Sequence, residues 1–397
     1  MKKWIWQQEN YPNFTYDFKK LESLMQKISL EQGYLMALFE TMSKDNIIQR
    51  QADTLLNEAI NTALIEGEVL NRDSVKASIA KKFGFDNIDY KKVVESTNNL
   101  IEIIIDANTN YNEDLTVERR FGWHNALFPK GYSGYQKINT ATFRGEESMQ
   151  IVGGYAGNEV VYYEAPPKAN LENEMQNFLN WFNSTNESLI KACIAHLWFV
   201  IIHPFDDGNG RITRAITDLV LSKIENSKIS RLYSMSNAIN DDRKGYYKAL
   251  EHTTGYIKKE DNFLDITFWC EWFLQTLYKA LIEAKMKLNF IVFKTKFWDK
   301  YADKNLNARQ IKVLNFILDI GIENFKGNLS KKKYISISNS SSTTASRDIS
   351  ELLEIGCIKQ VEGTAGRNQK GSSGTRKEAT ERKRKGTGND HTEGQHH

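Results

Sequence analysis

The chain has 397 residues, 40% hydrophobic and 26% charged, the balance of a globular protein of two or three domains. Its net charge of +3 is unevenly placed: residues 367–397 carry eight Lys/Arg against four Asp/Glu, so this tail is +4 and the rest −1, which excludes a globally basic nucleic-acid binder and leaves room only for a local patch. No apolar run reaches the roughly 18 residues of a membrane span, Cys193, Cys270 and Cys357 form no disulfide or zinc pattern, and Met1 to Glu9 lacks an apolar leader core, so the expectation is a cytoplasmic protein with no membrane partner.

In chain order, the first predicted element is a helix from Asp17 to Met42, where Leu21, Leu24, Met25, Ile28, Leu35, Leu38, Phe39 and Met42 recur at intervals of three and four. A second runs from about Ile47 to Ile65, with Ala52, Leu55, Leu56, Ala59, Ile60 and Ala63 in one stripe and Gly67 placed to end it. A third opens at Arg72 or Asp73 and stops at Gly84, and a fourth covers 91–108. Between Tyr132 and Tyr163 glycines punctuate short segments. Ala141–Arg144 and Met149–Val152 read as two strands around a Gly145–Ser148 turn, with Glu159–Tyr163 as a third. Helices resume at Leu171 and run to Phe297. Asn305 to Asn307 then cap a helix, a Lys-rich helix follows over Ser330–Ile337, and a further helix over Arg347–Gly356 leads into a strand-like Cys357–Val361, the outline of a winged helix-turn-helix. Beyond Gly363 there is too little apolar content for a core, and disorder is expected. The expected division is a helical N-terminal region 1–110, a core 111–300, a winged-helix-like domain 305–362 and a basic tail 363–397.

Chemistry concentrates in one stretch. Leu189 to Ile202 is apolar nearly all round, as a buried helix would be. His203 stands at its end and Pro204 prevents its continuation. Gly208-Asn209-Gly210 opens the next helix, whose N-terminus favours a phosphate. Arg211 and Arg214 can grip further phosphates with fork geometry, Asp207 can hold Mg2+ against phosphate oxygens, and His203 can take a proton from an incoming hydroxyl. A helix C-terminus, however, favours the imidazolium, which works against that last role. Base, metal ligand, phosphate cradle and two cationic clamps within twelve residues describe a site for phosphate-ester transfer. His124, His196 and His252 lack such company and read as structural.

The stretch His203-Pro204-Phe205-Asp206-Asp207-Gly208-Asn209-Gly210-Arg211-Ile212-Thr213-Arg214 resembles the Fic-family signature His-x-Phe-x-Asp/Glu-Gly-Asn-Gly-Arg-x-x-Arg at every fixed position. The resemblance implies a mostly α fold: an all-helical Fic core with a small β-hairpin flap, followed by a C-terminal winged-helix-like domain. It implies transfer of AMP from ATP to a Ser, Thr or Tyr hydroxyl of a target protein or of the enzyme itself, with release of pyrophosphate. His203 would then be the base and Asp207 the Mg2+ ligand. The backbone of Gly208, Asn209 and Gly210 would form the anion hole, with the Asn209 side chain on the α-phosphate, Arg211 on the β- and Arg214 on the γ-phosphate. Phe205 would anchor the loop. A phosphorylating relative has Lys at the second loop glycine, so Gly210 points to adenylyl transfer.

Thr62-Ala63-Leu64-Ile65-Glu66-Gly67 resembles the family's inhibitory motif Ser/Thr-x-x-x-Glu-Gly/Asn, which implies that Glu66 pairs with Arg214 and that Thr62 and Gly67 belong to a built-in brake. The flap, with Thr142, Phe143, Arg144, Met149 and Ile151, would dock an extended target segment by strand addition. Tyr246 or Tyr247 would face adenine. Two alternatives stay open. Glu66 could instead position a water that removes AMP from a target. Or the chain could be a DNA-binding regulator with a vestigial Fic core, contacting duplex through Lys331–Lys333 and the helix opening near Ser340–Asp348. Oligomerisation is also left open.

Overall fold

A helix without a polar face has to be surrounded, and the segment after Ser188 organises the fold on that account. The computed structural model describes residues 4–85, 92–155, 158–226, 231–255, 263–321 and 325–360. Its N-terminal helices are α1 (Phe18–Thr41), α2 (Lys44–Ile65), α3 (Arg72–Phe83), α4 (Glu95–Thr109) and α5 (Val117–Leu127). Two antiparallel pairs follow, β1 (Tyr132–Ser133) with β2 (Gln136–Lys137), and β3 (Gln150–Tyr155) with β4 (Asn158–Glu164). Then come α6 (Lys168–Ser184), α7 (Leu189–Ile202), α8 (Asn209–Ile224), α9 (Met235–Asp241), α10 (Arg243–Thr254) and α11 (Thr267–Lys300). The chain divides into a unit ending at Lys300 and a second beginning at Tyr301, which holds α12 (Ala308–Ile320), α13 (Lys331–Ser338) and α14 (Ser342–Ile355). No helix among the described residues is long and apolar enough to cross a membrane.

In α7, 13 of 14 residues are buried, so it forms the axis of the first unit. Its buried Lys191 and His196 side chains are both satisfied, as burial requires. Lys191 donates to Thr185 O at 2.8 Å and Glu187 Oε1 at 2.7 Å, and His196 lies 2.9 Å from Thr217 Oγ1 and 3.1 Å from Tyr246 Oη. Around it, α8 packs on α7, α4 on α8, α1 on α11, and α2 on α3 and α9. The N-terminal helices therefore belong to the same packed body as the helices that carry the loop.

The ends of α2 follow from local chemistry. Ser43 caps its start by accepting from Asn46 N–H at 3.3 Å. At its C-terminus Gly67 N–H reaches Leu64 O at 2.9 Å and Glu68 N–H reaches Ala63 O at 3.0 Å, the paired bonds of a Schellman motif. Glu66 is thereby fixed as the C-cap residue that follows Ile65, and its side chain leaves from a defined point.

Three expectations are corrected. The hairpin is not Ala141–Arg144 with Met149–Val152; it is β3 with β4, and the expected third strand is the actual partner. The reason lies in the 141–145 backbone, whose groups are used by the loop after α7: Arg144 N–H donates to Pro204 O at 2.9 Å and Gly145 N–H to Asp206 Oδ1 at 3.0 Å. Helix α5 was not foreseen, because Glu118-Arg119-Arg120 masks its apolar face. Finally, Cys357 to Gln360 form no strand; Cys357 N–H still bonds Leu352 O at 3.0 Å, so the chain is winding off the end of α14. Val361 and the expected tail lie outside the described residues. Within the second unit, Asp348 is buried and ties the helices together, accepting from Tyr334 Oη at 2.9 Å and Arg309 Nε at 2.9 Å.

Candidate active site

The loop from α7 to α8 is built by hydrogen bonds to its own side chains and to the 138–145 segment. His203 ends α7 in a left-handed conformation, φ 49° and ψ 59°, with its N–H still on Phe199 O at 3.0 Å. Phe205 is fully buried, and Asn209 brackets it: Phe205 N–H donates to Asn209 Oδ1 at 3.0 Å, and Asn209 Nδ2 donates back to Phe205 O at 2.8 Å. The Asn209 side chain, expected on a phosphate, is committed inside the loop. Asp206 accepts from Asn139 N–H and Nδ2 at 2.8 and 2.9 Å. Gly208 has φ 81°, and a Cβ there would stand 2.8 Å from Phe128 Cε2, so both conformation and space demand glycine.

Arg144 is also part of this frame. It is 2% exposed, and its guanidinium bonds His203 O at 2.9 Å and Pro166 O. The expectation that it docks a target is corrected: the His203 carbonyl at the end of α7 and the Pro166 carbonyl ahead of α6 have drawn it inward. Of the other residues assigned to the flap, Thr142 is exposed, and Phe143 meets Phe121 edge-on at 5.5 Å. Met149 is partly buried beside the core. Only Ile151, on β3, lines the cavity at the site.

That cavity is about 240 Å³ and is bounded by His203, Gly210, Glu66, Ile151, Tyr247 and Leu250, among others. His203 Nδ1 lies 3.3 Å from Val200 O. A carbonyl can only accept, so Nδ1 carries the proton and Nε2 the lone pair. Burial is the largest influence on this imidazole and pushes its pKa down to about 4; the Val200 carbonyl opposes that, and the Arg144 charge reinforces it. Burial thus outweighs the helix-end preference for imidazolium, and the ring is neutral at physiological pH. Asp207 is half-exposed; one carboxylate oxygen accepts Gly208 N–H at 2.5 Å and the other accepts the Ser133 hydroxyl. No group of three or more His, Cys, Asp or Glu side chains placed to hold a metal ion is present among the described residues. A single half-exposed carboxylate beside an anion seat fits a cation shared with substrate phosphates, not a cation caged by protein.

Both signature arginines are already engaged. Arg214, 2% exposed, donates from Nε to Thr62 Oγ1 at 2.6 Å and from Nη2 to Thr62 O at 2.8 Å and Glu66 Oε1 at 2.7 Å. Burial is the largest single influence and acts to lower its pKa, but the Glu66 charge, Tyr246, the Glu66 hydrogen bond and the Glu58 charge together more than offset it, and the pKa is raised. Glu66 Oε1 lies so near Gly210 that a Cβ there would be 1.9 Å away, which puts the carboxylate on the first turn of α8 where an anion would bind. Arg211 donates from Nη1 to Glu68 Oε2 at 2.9 Å and lies 5.0 Å from the Phe128 ring. Glu68 was not singled out from the sequence; its only signal was a second carboxylate two residues past Glu66. Tyr246 is buried against His196, and Tyr247 faces the cavity while its hydroxyl reaches Ile65 O at 3.2 Å. His124, read as structural, lies under the loop with Nε2 3.1 Å from Asp207 O.

Residues 114–221 match the family model described as Fic/DOC family, and residues 4–85 match a domain of unknown function, DUF4172. A probable protein adenylyltransferase of Aquifex aeolicus is 32% identical over 90 residues, which are 21% of this chain and 28% of that protein. The chain thus aligns with less than a third of that relative's length. Among solved structures, a Fic family protein from Desulfovibrio desulfuricans is 18% identical, with a TM-score of 0.48 over 83% of this chain and 89% of that one. Fic-1 from C. elegans is 14% identical, with a TM-score of 0.47 over 68% and 74%.

Proposed function

We propose, on the premise that residues 114–221 form a Fic/DOC-family region, that the chain is a protein adenylyltransferase held off by the end of its own α2. The observation that carries this is the Glu66 carboxylate seated on the first turn of α8 and bonded to Arg214, next to a neutral His203. A carboxylate there stands where a phosphate of ATP would lie.

In the reaction, a Ser, Thr or Tyr hydroxyl of a target, or of the enzyme itself, gives its proton to His203 Nε2. Its oxygen forms a bond to the α-phosphorus, and the bond from that phosphorus to the oxygen bridging to the β-phosphate breaks. Pyrophosphate leaves with the electron pair. Arg211 and Arg214 counter its charge once Glu68 and Glu66 have let them go. The N-terminal N–H groups of α8 stabilise the charge that develops on the α-phosphate oxygens. Asp207 would hold Mg2+, which supplies charge neutralisation across the phosphates. Ile151 on β3 lies at the cavity, in position for an incoming segment to align beside the strand.

The test is a comparison of purified wild-type protein and Glu66→Gly with ATP labelled at the α- or the γ-phosphate. The α-label should appear on protein and the γ-label in pyrophosphate. A γ-label on protein would mean phosphoryl transfer, and no label on Glu66→Gly would remove the activity.

A further inference from the structure

We infer that His124 is a positioning residue for the Asp207 carboxylate, acting through the backbone of the loop between α7 and α8. Three contacts from one fully buried ring support this. The imidazole stacks on Phe205, with centroids 4.1 Å apart and planes 8° from parallel. Ala141 N–H donates to Nδ1 at 3.2 Å, so Nδ1 is the unprotonated nitrogen. Nε2 then carries the hydrogen and donates it to Asp207 O at 3.1 Å.

The consequence is mechanical. Phe205 and the Asp207 carbonyl are both fastened to α5, while Asp206 between them is fastened to Asn139 and Gly145. These contacts fix the backbone from which the Asp207 side chain departs, and Gly208 N–H and the Ser133 hydroxyl then orient its carboxylate. One helical turn earlier, Arg120 is fully buried with its guanidinium 4.4 Å from the Phe121 ring and 5.9 Å from Phe205, which gives the same helix a second hold on the loop. Groups behind a metal ligand that fix its orientation typically change metal affinity by about 10- to 100-fold when lost. The metal role of Asp207 rests on the adenylyltransferase reading, but the first measurement below does not need turnover.

The experiment uses the full chain carrying Glu66→Gly, with Mn2+ and ATP as probe and bound Mn2+ followed by electron paramagnetic resonance. His124→Phe keeps a ring on Phe205 and loses both hydrogen bonds; it should raise half-saturating Mn2+ by about 10- to 100-fold. His124→Gln can replace the donor and the acceptor, and should stay within about threefold of the parent. Asp207→Asn should weaken Mn2+ at least as much as His124→Phe. Mn2+ binding by folded His124→Phe at the parent level would overturn the proposal, and so would an equal loss in His124→Gln. No effect of Asp207→Asn would also overturn it, since His124 would then have no ligand to position. If His124→Phe does not fold, His124→Asn, too short to span both partners, takes its place with the same expected loss. A Glu66→Gly parent that binds Mn2+ and ATP but transfers no label would sink the adenylyltransferase reading and leave this comparison intact.

Discussion

Replacing Glu66 by glycine isolates the contact proposed to close the site. The pair to be lost is one charge-assisted hydrogen bond of 2.7 Å between a guanidinium 3% exposed and a carboxylate 32% exposed. Hydrogen bonds to charged groups contribute about 1.5–3 kcal/mol, and the partial exposure of the carboxylate places this one in the lower half of that range. If ATP has to displace it, the apparent second-order rate of α-label incorporation at low ATP should rise roughly 10- to 30-fold, since each 1.4 kcal/mol is a factor of ten. The helix should tolerate the change, because Glu66 is its C-cap, beyond the last helical residue, and Gly67 already closes the Schellman motif. Glu66→Gln keeps a neutral acceptor and should give a smaller rise. The control is Arg214→Ala: on that background, Glu66→Gly should add nothing. Labelling by Glu66→Gly at the wild-type rate would refute the argument. A gain that persists without Arg214 would show that the carboxylate blocks the α8 terminus directly and not through the guanidinium.

Three further outcomes are expected. His203→Ala should lower label incorporation by about 10²- to 10⁴-fold while ATP binding persists; and because the neutral imidazole is the active form and its pKa is pushed down to about 4, the rate should stay level from about pH 8 to pH 6 and fall only in more acidic buffer, so a midpoint near 6.5 in the pH profile would contradict a buried base. Glu68→Gln removes a pair whose carboxylate is 45% exposed, so its gain should be at most about fivefold, well below that of Glu66→Gly, as read in the same labelling assay. Asn209→Ala leaves the buried Phe205 N–H and C=O without their partner, costing about 2–4 kcal/mol; thermal unfolding should show a midpoint several degrees lower, and an unchanged midpoint would mean the loop holds without its bracket.

The helices and the loop were legible because their signals are local. The stripe from Ala52 to Ala63 and the glycine at 67 define α2 and its end, and the run from Leu189 to Ile202 before Pro204 could only be a buried helix with His203 at its terminus. What was not legible depends on partners distant in sequence. Arg144 looks like a residue of a turn-flanked strand, yet its role is set by the carbonyls of His203 and Pro166. Nothing near His124 marks it, since its partners, Ala141, Phe205 and Asp207, come from two other segments. The Asn209 amide looked available to a ligand, and only the fold shows it spent on Phe205. The sign of the His203 environment was also misjudged from position alone: the helix terminus argues for a cation, and burial argues more strongly for a neutral ring.

The helix that carries Glu66 is no hinged arm. Ala59, Ala63 and Ile65 are fully buried, and α2 packs on α3, α8 and α9, so it is a wall of the first unit. Lifting it away would strip the interior and leave Arg214 without Thr62 as well as without Glu66. Removal of α2 is therefore expected to destabilise the first unit. On the proposed reading, relief would come from rotation of the Glu66 side chain about its own bonds and not from movement of the helix. On that reading the Glu66 carboxylate and a nucleotide phosphate would compete for the same first turn of α8.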